Sequence, residues 1–160
     1  MNGRIIDHIK SFLLFIPFLW LHFEAHTQQH HHRDSIVVME RMQTFLNAFN
    51  TFNWKTFNAC FADDATVFHP FWKYASRRNG KQEVEAAWRE IFPEFTDTTN
   101  SKRMNLSPKD VLLQLYGETA IVTFHLGDGV TTLSRRTFVW VKRYGEWKLV
   151  HLHASNLKSQ

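Results

Sequence analysis

The segment Thr137–Asn156, TFVWVKR-YGE-WKLVHLHASN, carries the clearest structural instruction in the chain. Two runs of β-branched and aromatic residues flank Tyr144-Gly145, the pattern of two strands joined by a tight turn. With an even number of residues in the loop, Trp140 lies opposite Leu149, Phe138 opposite His151, and Arg136 opposite His153. Side chains alternate with period 2, so those six share one face, and Val139, Val141, Val150, Leu152 and Ala154 share the other. The first face mixes aromatics, a cation and imidazoles, and is expected to wall a pocket.

The rest of the chain must cover that hairpin within 160 residues, enough for one domain of ordinary size. Aromatic residues make up 15% of the sequence, and rings bury large areas, so a packed core is expected and disorder is not. The net charge of +4 is spread over short pairs such as Arg77-Arg78, Lys102-Arg103 and Arg135-Arg136. Without a basic stripe, no nucleic-acid partner is expected. Cys60 is the only cysteine, which excludes an intrachain disulfide and a cysteine-based zinc site.

Residues 1–34 differ in character from the rest of the chain. Arg4 and Lys10 precede an apolar run from Phe12 to Phe23, then a polar stretch that includes His30, His31 and His32. The run is too short to span a bilayer and suits the apolar core of a signal peptide. Residues 1–34 are therefore expected to be a signal peptide and linker, cut between Ala25 and Asp34. The mature protein is then exported, periplasmic or secreted, with no stable membrane association. An uncleaved membrane anchor is the alternative.

The folded domain is expected over 35–160. Apolar residues from Val37 to Phe52 follow helical spacing, with Asp34 or Ser35 as the N-cap, and Trp54–Phe61 reads as a second helix. Ala62-Asp63-Asp64-Ala65 reads as a turn into a strand over Thr66–His69 that Pro70 ends. A third helix runs from Lys81 to Phe95 and Pro93 closes it. Strands are expected next over 110–115, 119–126 and 130–142, with turns at Gly117-Glu118 and Gly127-Asp128-Gly129, before the last strand.

This order of elements resembles the nuclear transport factor 2-like superfamily, and within it SnoaL-like domains and the association domain of calcium/calmodulin-dependent protein kinase II. The phrases FADDATVFHP (Phe61–Pro70), Gly80, GETAIV (Gly117–Val122) and TFVW…GEWKLVHLHAS carry the resemblance over about residues 36–157. It implies an α+β fold: a curved antiparallel sheet packed on the three helices of the N-terminal half, forming a cone with a pocket at its open end. It also implies pairing of two copies through the sheet, as a homodimer. The superfamily hosts isomerases, dehydratases, cyclases, binding modules and assembly modules, so the resemblance does not fix a function. Where the kinase association domain carries an arginine before Val-Trp, this chain has Phe138, and Arg136 is the cation on the same side.

Histidines, one arginine and several aromatic residues supply the chemical candidates. His151 and His153, with His125 from the neighbouring strand, would serve as acid–base residues, because imidazole titrates near neutral pH. Arg136, Phe138, Trp140, His69, Trp54, Phe68 and Trp88 would line a ligand site, Arg136 meeting an anionic or carbonyl group. The same imidazoles can equally be hydrogen-bonded parts of the wall. No carboxylate or thiolate is spaced to complete a metal site with them, so neither a metal nor a cofactor is expected. Three readings stay open: a domain binding a small organic ligand, a cofactor-independent isomerase, dehydratase or cyclase on the same pocket, and an oligomerisation module. The aliphatic face, extended by Val122, Phe124 and Leu126, is expected to be the dimer contact.

Overall fold

The computed structural model describes residues 16–97, 99–127 and 132–158, and the chain divides into two compact units, Met1–Ile36 and Val37–Gln160. The turn expected at Asp128-Gly129 and the start of the apolar run at Phe12 lie outside the described residues. Helix α1 spans Ile16–Asn50 and crosses the boundary between the units. Ser35 is inside it, its hydroxyl donating to the His31 carbonyl, so the N-cap expected at Asp34 or Ser35 is not there. Among the described residues no helix is long and apolar enough to cross a membrane.

Within Val37–Gln160, α1 turns one stripe inward. Val38, Met42, Phe45, Leu46 and Phe49 are buried at the three- and four-residue spacing of a helical face. Phe52, at φ 53°, reverses the chain, and Asn53 caps α2 (Trp54–Ala59) by accepting from the Thr56 amide at 3.1 Å. Strand β1 (Phe61–Phe68) comes next, then a 3₁₀ turn (Trp72–Tyr74), β2 (Arg78–Asn79) and α3 (Gly80–Ile91), which buries Val84, Ala87 and Trp88. Gly80 enters α3 at φ 77°, a conformation that favours glycine. A second 3₁₀ turn begins at Pro93, which has no amide to continue the helix.

Strands β3 (Lys109–Tyr116), β4 (Thr119–Leu126), β5 (Thr132–Arg143) and β6 (Glu146–Lys158) complete one six-stranded sheet in the order β2-β1-β6-β5-β4-β3. All neighbours are antiparallel except β1 and β6, which run parallel, so the sheet is mixed. Strand β1 also starts earlier than expected. Asp63 and Asp64 lie within it rather than in a turn, where Asp64 binds Arg143 through two bonds of 2.7 and 2.9 Å. The core is a stack of rings between helices and sheet, with Phe45 5.0 Å from Phe138, Phe49 5.3 Å from Trp88, and Phe57 4.8 Å from Phe95.

The β5–β6 hairpin decides which side chains meet that core. Its loop is Tyr144-Gly145, at φ 52° and 82°, with Arg143 paired to Glu146. Two consecutive positive φ values match the two-residue turn whose twist suits a hairpin. From there the pairing runs as expected to Trp140 opposite Leu149. The next pair is Val139 opposite His151, so Val150 is an extra residue on β6. One extra residue exchanges the faces of everything beyond it. Phe138 therefore lies opposite Leu152, and Arg136 opposite Ala154. The expected pairings of Phe138 with His151 and of Arg136 with His153 are corrected accordingly.

The expected dimer patch is corrected too: the shift turns Leu152 and Ala154 inward, and Val122, Phe124 and Leu126 pair with the inward-facing Phe138, Arg136 and Ser134 of β5. Val122, Phe124, Leu126, Leu152 and Ala154 are buried in this chain's own core, and of the aliphatic set Val139, Val141 and Val150 are the ones left on the outer side.

Candidate functional site

The inner face of β5 brings Arg136, Phe138 and Trp140 toward the helices, and β6 answers with Leu149, Leu152 and Ala154. A cavity of about 50 Å³ remains between them, walled by Phe45, Leu46 and Phe49 of α1, Trp88 and Phe92, Pro70-Phe71, and Leu126, Arg136, Phe138, Leu152 and Ala154 of the surroundings. Among the described residues Arg136 is the only charged one in that wall. Its Nη1 donates to Ser134 Oγ and to the Arg135 carbonyl. Among the described residues no carboxylate lies within ion-pair distance of it. Burial pushes its pKa down to about 10, which leaves it charged at neutral pH.

His69 follows β1 on the same inner side and is 5% exposed, its ring 4.7 Å from Trp88 and 6.1 Å from Tyr74. Among the described residues neither ring nitrogen has a hydrogen-bond partner, nor has Arg78 Nε. Burial, with the charges of Arg78 and Arg136, lowers the His69 pKa to about 4. The imidazole is thus neutral at physiological pH, with one nitrogen able to donate and the other to accept. Among the described residues the indole nitrogens of Trp88, Trp140 and Trp147 lack a partner as well, and of these Trp88 lies against His69.

The other candidates lie elsewhere. His151 and His153 point to the outer face, the reverse of the expected placement, because the extra residue at Val150 precedes both. His151 Nδ1 meets Thr66 Oγ1 at 2.8 Å, and the Phe68 ring lies 6.1 Å from His151 and 5.7 Å from His153. Burial, followed by the neighbouring His153 and Arg77, holds the His151 pKa below its usual value. His125 alternates with the buried Phe124 and Leu126 and so also faces outward, where its Nδ1 lies 3.4 Å from Asp110. The three imidazoles do share a face, but it is not the face of Arg136.

Trp88 and Phe138 wall the cavity, as expected, while Trp140 is wholly buried behind Phe138 and does not reach it. Trp54 packs on Phe57 and Phe95, under the Arg89 guanidinium at 4.4 Å. Phe68 lies outside, in a groove of about 360 Å³ with Phe71, Trp72, His153 and Asn156. Sequence reasoning missed Leu152, Ala154 and Leu126 as wall residues. A signal for the first two exists: along β6 the inward apolar residues switch phase, from Trp147 and Leu149 to Leu152 and Ala154. Among the described residues no group of three or more His, Cys, Asp or Glu is placed to hold a metal ion. Burial raises the Cys60 thiol to about 11, so it is not a nucleophile at neutral pH.

A mixed sheet laid over three helices, with an apolar interior between, defines a nuclear transport factor 2-like fold. Solved structures of that kind agree. A candidate dehydratase of the nuclear transport factor 2-like family from Streptomyces avermitilis has a TM-score of 0.65 at 22% identity, over 80% of this chain and 99% of that one. The CaMKII hub of S. rosetta has a TM-score of 0.59 at 28% identity, over 76% and 95%. A protein of unknown function from Pseudomonas putida KT2440 has a TM-score of 0.61 at 18% identity, over 74% and 82%. The chain belongs to the SnoaL-like domain family, whose model matches residues 38–158. No curated protein matches it in sequence.

Proposed function

We propose that this SnoaL-like domain binds a small organic acid, with its carboxylate held by Arg136 at the inner end of the apolar cavity. The observation that carries this reading is the guanidinium itself, charged, inside an otherwise uncharged wall and without a carboxylate partner among the described residues. A half-buried cation lacking its counter-ion carries a desolvation cost, and a bound anion would supply what the fold leaves out. Arg136 offers planar paired donors, which suit a carboxylate.

The test combines stability and binding. Arg136→Met removes the unpaired charge and keeps much of the volume, so the ligand-free protein should be no less stable in urea unfolding than the parent. A panel of small organic acids and their amides, read by the shift in melting temperature, should stabilise the parent through the acids only. Arg136→Met should abolish that shift. Acids that stabilise Arg136→Met as well as the parent would remove Arg136 from the site.

The 28% identity with the CaMKII hub favours assembly as a second role on the same scaffold. Its contact would be the outer face, where Leu112 and Tyr116 are exposed beside Ile121, Val139 and Val141. Light scattering that finds only monomer at micromolar concentration would exclude it. Export rests on the apolar run of the N-terminal segment, and recovery of intact Met1 from the native host's cytoplasm would refute it.

A further inference from the structure

The inner cavity is small. At about 50 Å³ it has room for little more than a head group, whereas sites for organic ligands are typically several hundred Å³. The outer groove, at about 360 Å³, is of the latter size. The two spaces share Pro70, Phe71 and Ala154 as walls. Of the three, Phe71 has the largest side chain. Phe71 itself is partly exposed, and a change of its rotamer is a small motion.

The far wall of the groove carries a second unexplained feature. Trp72 is 94% exposed, an indole left in water beside Phe71. The turn that holds it does not depend on it. Tyr74 is buried beneath, its amide bonds the Phe71 carbonyl at 2.9 Å, Arg78 lies over its ring, and Lys73 meets Glu90 at 2.7 Å. The indole is thus presented on a fixed support, which is how a stacking platform is built. Between platform and interior stands His69, buried, lining the groove and lacking a partner on either ring nitrogen.

We propose that groove and inner cavity are two halves of one site, and that its ligand is a planar aromatic carboxylic acid. The ring lies in the groove against Trp72 and Phe71. The carboxylate passes Phe71 to reach Arg136. His69, which can donate and accept, binds a polar substituent between the two ends. This rests on the assignment of Arg136 to an acid and adds the class of acid, because a planar aromatic ring gains from the indole a stacking contact, beyond the area it buries, that an aliphatic ring lacks.

The experiment titrates the full chain with 2-naphthoate and with cyclohexanecarboxylate by calorimetry, for the parent, Trp72→Ala and Arg136→Met. Trp72→Ala is a surface change and should leave the melting temperature in place. It should weaken 2-naphthoate about fivefold to tenfold, the scale of one lost aromatic pair, and leave cyclohexanecarboxylate within twofold. Arg136→Met should abolish binding of both acids. If Arg136→Met abolishes binding but Trp72→Ala leaves 2-naphthoate unchanged, the groove is not part of the site while Arg136 remains an acid receptor. If Arg136→Met binds both acids like the parent, or the parent binds neither at millimolar concentration, the acid site and its extension fall together.

Discussion

The inner face of the sheet carries Val122, Phe124, Phe138, Trp140, Leu149 and Leu152, whereas the outer face sets Thr123, His125, Thr137, His151 and His153 among Ile121, Val139 and Val141. The two faces are made by the same strands, yet a polar residue means different things on each. Outside, an imidazole keeps its water or finds a neighbour, as His151 finds Thr66, and its presence demands no explanation. Inside, hydration is lost, and each polar group must be paired or must await a partner. Arg136 and His69 are therefore the informative residues, although the outer face has more of the chemically versatile side chains.

The largest test of that contrast is truncation on each side of β5 and β6. Phe138→Ala removes a buried ring that touches Phe45, Phe124 and Trp140, and should cost about 3–5 kcal/mol in denaturant unfolding. His153→Ala, on the exposed side, should stay within about 0.5 kcal/mol. Equal costs would mean that the faces have been assigned wrongly.

Acid sensitivity gives the next test, through His69. Its folded pKa of about 4 lies below the ordinary 6.5, so between those values the unfolded chain binds a proton that the folded one refuses. Stability should then fall as pH drops from about 6.5 to about 4, by roughly 3 kcal/mol, and this component levels off below. His69→Gln should lack this component of the slope. An unchanged slope in His69→Gln would place the imidazole in contact with solvent.

The smallest effect belongs to the hairpin tip, where the faces are first set. Tyr144 is fully exposed and sits at φ 52°, a conformation that asparagine tolerates better than tyrosine. Tyr144→Asn should stabilise by about 0.5–1 kcal/mol, since Asn-Gly is the preferred pair for this turn. A loss of stability would show that the tyrosine ring, not the turn, matters there.

The same hairpin shows what could be read in the chain. Tyr144-Gly145 announces its turn because two left-handed positions in a row admit few residues, and the pairing from there to Trp140 and Leu149 follows by counting. Counting fails at Val150, where an added residue costs little locally and leaves no turn-forming signature. Its trace is the phase change between Leu149 and Leu152, which is legible only if burial is allowed to outrank aromatic company. Helix α1 was legible from Val37 onward through its apolar spacing, but toward Ile16 the sequence runs as an apolar block followed by a polar one, with no helical spacing to announce the continuation. His69, Trp88 and Phe138 could be picked from the sequence. So could Arg136, which shares a face with Phe138 by alternation alone, whereas their meeting with Leu152 and Ala154 depends on the register and could not.

The register at Val150 is therefore the point on which the site stands or falls. Nuclear Overhauser contacts in the labelled full-length protein measure it directly. The expected result is contact between the Phe138 ring and the Leu152 methyl groups, with the His151 imidazole close to the Thr66 methyl. Contact between the Phe138 ring and the His151 imidazole instead would return the imidazoles to the interior beside Arg136 and contradict the apolar wall formed by Leu152 and Ala154.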